Sequence, residues 1–179
     1  MAEYHAMIDA GILTSEDKVE LLFGQIIEMS PVGKAHSTTV KKITGHLYGR
    51  FVAPDFIIGV QDPITLVDDS EPEPDIYVAN GPLEKYLEHH PYPEDLLLVI
   101  EVSDTTLAKD KGGKKIGYAV AGISEYWVVD VYGEKIYRYT DPDAAQKTYQ
   151  KEEIYSEEDT IKSVFLGTFA VKDLLVKYP

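Results

Sequence analysis

The sequence predicts an α/β protein with a central mixed β-sheet flanked by helices. Three observations predict it. Five consecutive large aliphatic residues, Leu96 to Ile100, are bounded by Asp95 and by Ser103-Asp104, which reads as a strand buried on both faces. Ser103, Asp104, Thr105 and Thr106 then offer helix N-caps, and Ile116, Ala119, Val120 and Ile123 follow at helical spacing, with Gly122 able to close the helix. A second apolar strand, Tyr126 to Val131, completes a β–α–β unit, so the two strands are expected to be parallel with a right-handed crossover.

The remaining elements follow in order. Residues 2–10 fit a short helix, and Thr14-Ser15-Glu16-Asp17 resembles a second helix start. Val19 to Leu22 and Gln25 to Met29 flank Phe23-Gly24 as a β-hairpin, with Glu20 in its first strand. From Lys34 to Phe51 the pattern is helical, with Val40, Ile43, Leu47 and Phe51 on one face, and Pro54 stops it. Phe56 to Val60 and Ile64 to Val67 read as strands. Ile76 to Ala79 is a short apolar strand entered through Pro74-Asp75, after an acidic, proline-rich approach. Residues 81–95 read as a surface connection. Lys135 to Tyr139 and Lys147 to Lys151 form antiparallel strands around a turn at Asp141-Pro142-Asp143. Glu152 to Asp159 reads as exposed, Val164 to Phe169 as a last strand, and Val171 to Leu175 as a final helical turn. No repeat and no linker divides the chain, so one domain over residues 1–179 is expected.

Composition narrows the class. The apolar fraction of 44% is ordinary for a globular chain, and no apolar run approaches the roughly 18 residues that read as a membrane-spanning helix. The first residues are acidic and lack a long apolar core, unlike a signal peptide. There is no cysteine, which excludes disulfides and thiolate metal sites and is compatible with a cytoplasmic location. Net charge is −14, from 17 basic and 31 acidic residues, which opposes broad attraction to nucleic acid or anionic membrane. Eight of the 17 basic residues nevertheless fall in two carboxylate-poor windows: Lys34, Lys41, Lys42 and Arg50 in one, Lys109, Lys111, Lys114 and Lys115 in the other. These are either a local basic surface or solvated helix faces.

Asp75 and Glu101 are the leading candidates for chemistry, each at the end of a short apolar strand. If the strands are neighbours, the carboxylates converge and repel unless a cation neutralises them. Hard oxygen ligands suit Mg²⁺ or Mn²⁺. The alternative is that Asp75 caps a turn and Glu101 accepts backbone hydrogen bonds. At 100° per residue, Lys114 falls about opposite the face of Ile116, Ala119, Val120 and Ile123, so it points to solvent if that face packs on the sheet, while Gly112, Gly113 and Gly117 weaken the helix and leave its start and tilt open. His36 reads as either a phosphate neighbour or a surface residue, and Gln61 as a residue at a strand end near the site. Tyr118 reads as half-buried, Trp127 as core and Asp130 as a turn residue. His5, His46 and the His89-His90 pair show no metal spacing.

Several ordered segments together resemble a known family. VELLFGQIIEMSP is similar to an opening hairpin with its glutamate, and GKAHSTTVKKITGHL to a histidine-bearing helix. PEPDIYVAN carries Pro-Asp and LLLVIEVSDTT carries Glu-x-Ser. Asp110, Lys114, Tyr118 and then GISEYWVVD are similar to the next helix and strand. Over roughly residues 19–131 the chain resembles the Uma-type putative restriction endonucleases of the PD-(D/E)XK nuclease superfamily. The resemblance implies a restriction-endonuclease-like core and metal-dependent hydrolysis of DNA phosphodiesters. It implies that Asp75 and Glu101 are metal ligands, with the Val102 carbonyl completing the shell. Glu20 would bind a second metal or orient a water, and Lys114 would orient or activate the attacking water and stabilise phosphate charge. The position two after Glu101 is Ser103 where the superfamily has lysine, and Lys114 is the match for a lysine moved to the following helix.

Three functional readings follow: a magnesium- or manganese-dependent endonuclease acting on DNA, a catalytically inactive module of the same fold binding nucleic acid or a protein partner, and a structural homodimer. No membrane partner is expected.

Overall fold

The chain opens with a helix, α1 (Ala2–Asp9), that buries none of its side chains. A computed structural model describes residues 1–66 and 69–178. The Thr14–Asp17 segment is a turn rather than a helix, because the Asp17 carboxylate accepts both the Thr14 N–H and its hydroxyl at 2.9 Å. Strands β1 (Val19–Leu22) and β2 (Gln25–Glu28) pair antiparallel with Leu22 opposite Gln25. Phe23 and Gly24 both take positive φ, 52° and 71°, as a two-residue hairpin turn requires. Helix α2 (Lys34–Tyr48) follows, and its buried side includes His36 along with Val40, Ile43 and Leu47.

Strands β3 (Phe56–Gly59) and β4 (Ile76–Asn80) come next. The strand expected over Ile64 to Val67 is not formed by the residues described: Leu66 makes a single bridge to Ser70, and Val67 lies outside the described residues. β5 spans Leu96–Ser103, so Glu101 lies inside a strand and not at its end. The crossover comprises one turn of helix, α3 (Leu107–Lys109), a π-helical turn over Asp110–Lys114, and α4 (Lys115–Val120). Gly122, with φ 78°, then lets the chain turn into β6 (Glu125–Asp130).

Strands β7 (Lys135–Asp143) and β8 (Thr148–Tyr155) are longer than expected. Pro142 pairs with Tyr149 inside the ladder rather than forming the turn. The reversal falls at residues 144–147, where Asp143 accepts the Gln146 N–H and Lys147 takes a φ of 54°. A hairpin of β9 (Thr160–Lys162) and β10 (Thr168–Ala170) replaces the single strand expected over Val164 to Phe169. The expected final turn forms over Val171–Asp173.

The main sheet has six strands in the order β3-β4-β5-β6-β7-β8. Only β5 and β6 pair in parallel, as the β–α–β pattern implied. Each face of the sheet carries a core. On one, Ile43 and Leu47 of α2 pack with Ile76, Leu98, Ile100 and Trp127. On the other, Tyr118 and Ala119 of α4 pack with Tyr77, Val99, Tyr126 and Val128. Among the described residues, no helix is long and apolar enough to cross a membrane.

Candidate active site

The antiparallel β4–β5 ladder ends with Ile76 opposite Ile100. One position further, Asp75 comes opposite Glu101. The register therefore brings the two residues side by side at the end of the ladder, and both line the same cleft. Asp75 departs from the ladder there: its Oδ2 accepts the Val102 N–H at 2.8 Å in place of a backbone carbonyl. The backbone-acceptor role anticipated for Glu101 therefore belongs to Asp75. Oδ1 of Asp75 lies 2.9 Å from Nε2 of His36, in the first turn of α2. Gln61, exposed at the rim, reaches the same oxygen at 3.5 Å.

Glu101 points toward the α4 side of the sheet. Its Oε1 accepts hydrogen bonds from Lys114 Nζ at 2.8 Å and from the Tyr118 hydroxyl at 2.7 Å. Burial pushes its pKa up to about 8. Lys114 opposes that rise, while Asp75 and Asp110 add to it. Lys114 is only 6% exposed, which decides against the solvent-facing alternative that the helical wheel left open. The inward side of the crossover helix runs Asp110, Lys114, Tyr118 at four-residue spacing, while Ile116 and Val120 are only partly buried. At Gly117 the helix lies beside Leu22 and Phe23. Burial would lower the Lys114 pKa, but Glu101 and Glu20 outweigh it and hold the ammonium well above its ordinary range.

Glu20, fully buried on β1, spends both oxygens on lysines: Oε1 on Lys109 at 2.8 Å and Oε2 on Lys114 at 3.2 Å. Oε2 also accepts the Glu73 N–H at 3.2 Å. Burial raises its pKa, and the two lysines more than reverse that, leaving the carboxyl below its usual range. His36 behaves in the opposite sense. Burial lowers it, and Asp75, with Asp104 and Asp110 beyond, draws it above its ordinary value.

These side chains line one cleft of about 760 Å³ between the β1–β2 hairpin, the start of α2 and the crossover helix. It brings together all four residues singled out from the sequence: Asp75, Glu101, Lys114 and Glu20. It also contains His36, for which a phosphate neighbour was one of two readings, and Asp110, to which no role had been given. His36 is not a surface residue; the signal was its spacing of four, seven and eleven residues from Val40, Ile43 and Leu47. Asp110 is buried, with Oδ2 accepting the Ser103 hydroxyl at 2.6 Å and the Thr106 hydroxyl at 2.5 Å. The first basic window serves the fold more than a surface. Lys42 donates to the carbonyls of Lys172 and Leu175, and Arg50 donates to Thr168 and Leu166 while covering the Phe169 ring. In the second window, Lys111 lies over Tyr137 and near Glu152, and Lys115 over Tyr139.

The donor set fits a hard divalent cation. Two carboxylates line one cleft, and among the described residues the hydrogen bonds of the Glu101 side chain fall on Oε1. Magnesium needs only one or two carboxylates, the rest of its shell being water and phosphate. Consistent with such a sparse set, the described residues contain no cluster of three or more His, Asp or Glu side chains arranged to hold a metal.

The family model "Uma2: Putative restriction endonuclease" matches residues 1–172. No curated protein matches the chain. The crystal structure of a putative nuclease belonging to DUF820 from Anabaena variabilis ATCC 29413 is similar in fold, with a TM-score of 0.71 at 16% identity over 93% of this chain and 94% of that one.

Proposed function

The chain belongs to the Uma2 family of putative restriction endonucleases, and from that membership we propose that it hydrolyses DNA phosphodiester bonds with a divalent metal, magnesium or manganese. The observation that carries the reading is the one cleft that Asp75 and Glu101 both line, with Asp75 held to β5 by the Val102 N–H at 2.8 Å and Lys114 Nζ 2.8 Å from the glutamate. Asp75 and Glu101 would hold the cation, which when bound supplies Lewis-acid polarisation of a phosphoryl oxygen.

The chain's own groups divide the remaining work. Lys114 stays an ammonium at neutral pH, so it acts as a hydrogen-bond donor rather than a base, orienting the attacking water and stabilising charge that builds on the phosphate. Tyr118 fixes the Glu101 carboxylate by a hydrogen bond to the same oxygen. The Val102 N–H and His36 hold Asp75 from two sides. Glu20 steadies both Lys109 and Lys114. That assignment is simpler than the second-metal role, because both its oxygens already face ammonium groups.

One observation favours a second reading, a catalytically inactive module that binds nucleic acid or a protein partner. Each of Glu20, Asp75 and Glu101 is already partnered by a cation of the chain itself. Calorimetric titration of Mn²⁺ into the wild type and an Asp75→Ala/Glu101→Ala double mutant, with plasmid cleavage on the same samples, separates the two. The nuclease reading expects binding and cleavage that both vanish in the mutant. A wild type that binds no metal, with or without DNA, sinks it in favour of the binding module.

A further inference from the structure

The lysine of this site arrives on a distorted helix, and the distortion has an anchor. π-helical turns are rare, occur mostly as single turns inside α-helices, and are frequent at functional sites. Here the turn spans Asp110–Lys114, and its first residue is tied down on three sides. The Asp110 carboxylate accepts the Ser103 hydroxyl from the end of β5 and the Thr106 hydroxyl from the approach to the helix. Its backbone carbonyl accepts the Tyr126 hydroxyl from β6 at 3.0 Å. The last residue of the turn, Lys114, meets Glu101, two positions before Ser103 on the same strand. One end of the turn is thus pinned to β5 through Ser103 and the other delivers its amine to β5 at Glu101.

Resting on the nuclease reading, we propose that Ser103 and Asp110 are positioning residues: their hydrogen bond fixes the π-turn so that Lys114 enters the cleft against Glu101. Ser103 is 1% exposed and Asp110 3% exposed, so neither exchanges its partner for water. A hydroxyl stands where the superfamily pattern has a lysine, and its work is to hold the element that carries the relocated amine. The interaction requires an acceptor oxygen at residue 110 and a hydroxyl at residue 103. It does not require the charge of Asp110.

Two measurements on one set of variants test this. The first is acetylation by acetic anhydride, read by mass spectrometry at each lysine. The second is cleavage of a fluorogenic DNA oligonucleotide with Mn²⁺. Lys114 is expected to be protected in the wild type and to become reactive in Ser103→Ala and Asp110→Ala. In both, kcat falls by about 10²-fold, the scale of a misplaced catalytic group, with KM little changed. Ser103→Thr and Asp110→Asn, which keep the hydroxyl and the acceptor, restore protection and most of kcat. Lys114 staying protected in both alanine variants overturns the proposal. So does an Asp110→Asn variant as impaired as Asp110→Ala, which would assign the role to the charge. A wild type that cleaves nothing counts against the nuclease reading alone, because acetylation still reports the placement of Lys114.

Discussion

Lys114 and Glu101 lie thirteen residues apart in sequence, yet Nζ meets Oε1 at 2.8 Å in a site closed to water on most sides. The contact joins the crossover helix to the central strand. It also leaves each partner dependent on the other, since a buried charge without its counter-ion is costly.

Lys114→Met is therefore expected to destabilise the protein by about 3–5 kcal/mol at alkaline pH, the cost of breaking a buried ion pair from one side. Glu101 can take up a proton once its cation is gone, so the loss should shrink as pH falls. Urea unfolding of wild type and variant at pH 6 and pH 9 measures both. An equal loss at the two pH values would count against the ion-pair account.

The elevated Glu101 pKa has its own signature. Its ordinary value is 4.5 and burial carries it to about 8. Because the folded state holds the proton more tightly, this group's contribution is fully present below about pH 4.5 and is lost as pH rises through about 8. Metal-free wild type should lose Tm over that window relative to Glu101→Gln. Adding Mn²⁺ should restore Tm most at the alkaline end, because metal binding requires the deprotonated carboxylate. Thermal melts across pH, with and without the metal, check both.

Glu125 is the buried hub of the opposite core. It accepts Trp127 Nε1 at 2.9 Å, Arg138 Nε at 2.6 Å, the Ser163 hydroxyl at 2.6 Å and the Val164 N–H at 2.7 Å. Glu125→Ala should cost about 3–5 kcal/mol by stranding Arg138 and the other donors, while leaving metal affinity in the remaining folded protein unchanged. Chemical denaturation and Mn²⁺ titration together test this.

Gly59 ends β3 opposite Tyr77. A Cβ at that position would overlap the Tyr77 ring. Gly59→Ala should destabilise by about 1–3 kcal/mol through overpacking. Tyr77→Leu, by removing the ring, should recover part of the loss in the double mutant, as a double-mutant cycle of unfolding free energies would show.

Legibility in the sequence followed the strength of local signals. The aliphatic run of β5 and the apolar β6 gave the parallel pair, and Phe23-Gly24 gave the hairpin. The four candidate residues were legible through the ordered family segments more than through spacing alone, and their contacts were not. The direction of Lys114 stayed open because Ile116, Ala119, Val120 and Ile123 suggested the buried face, whereas the inward side also carries Asp110, Lys114 and Tyr118, which are polar. No periodicity rule announces a helix that buries its polar side. Pro142 read as a turn because it lacks an N–H, yet it sits in the ladder near the hairpin's end, and Asp143 supplies the cap that moves the reversal outward. Asp17 similarly spent its carboxylate closing a turn that composition had marked as a helix start. His36 required only that its spacing from Val40, Ile43 and Leu47 be given as much weight as its polarity.

The self-contained pairing of carboxylates with lysine and histidine has a consequence for the order of events. Lys109, Lys114 and, when protonated, His36 face Glu20, Asp75 and Glu101, and Asp110 adds a further carboxyl group to the cleft. On the nuclease reading, a dication entering alone would have to displace those internal cations from the carboxylates, and a phosphodiester entering alone would meet the carboxylates' negative charge. Arriving together they would trade partners: the carboxylates would turn to the metal, and the released ammonium groups would turn to the phosphate. Metal and nucleic acid should therefore each raise the other's affinity, so that the cleft fills as a pair or stays closed on itself.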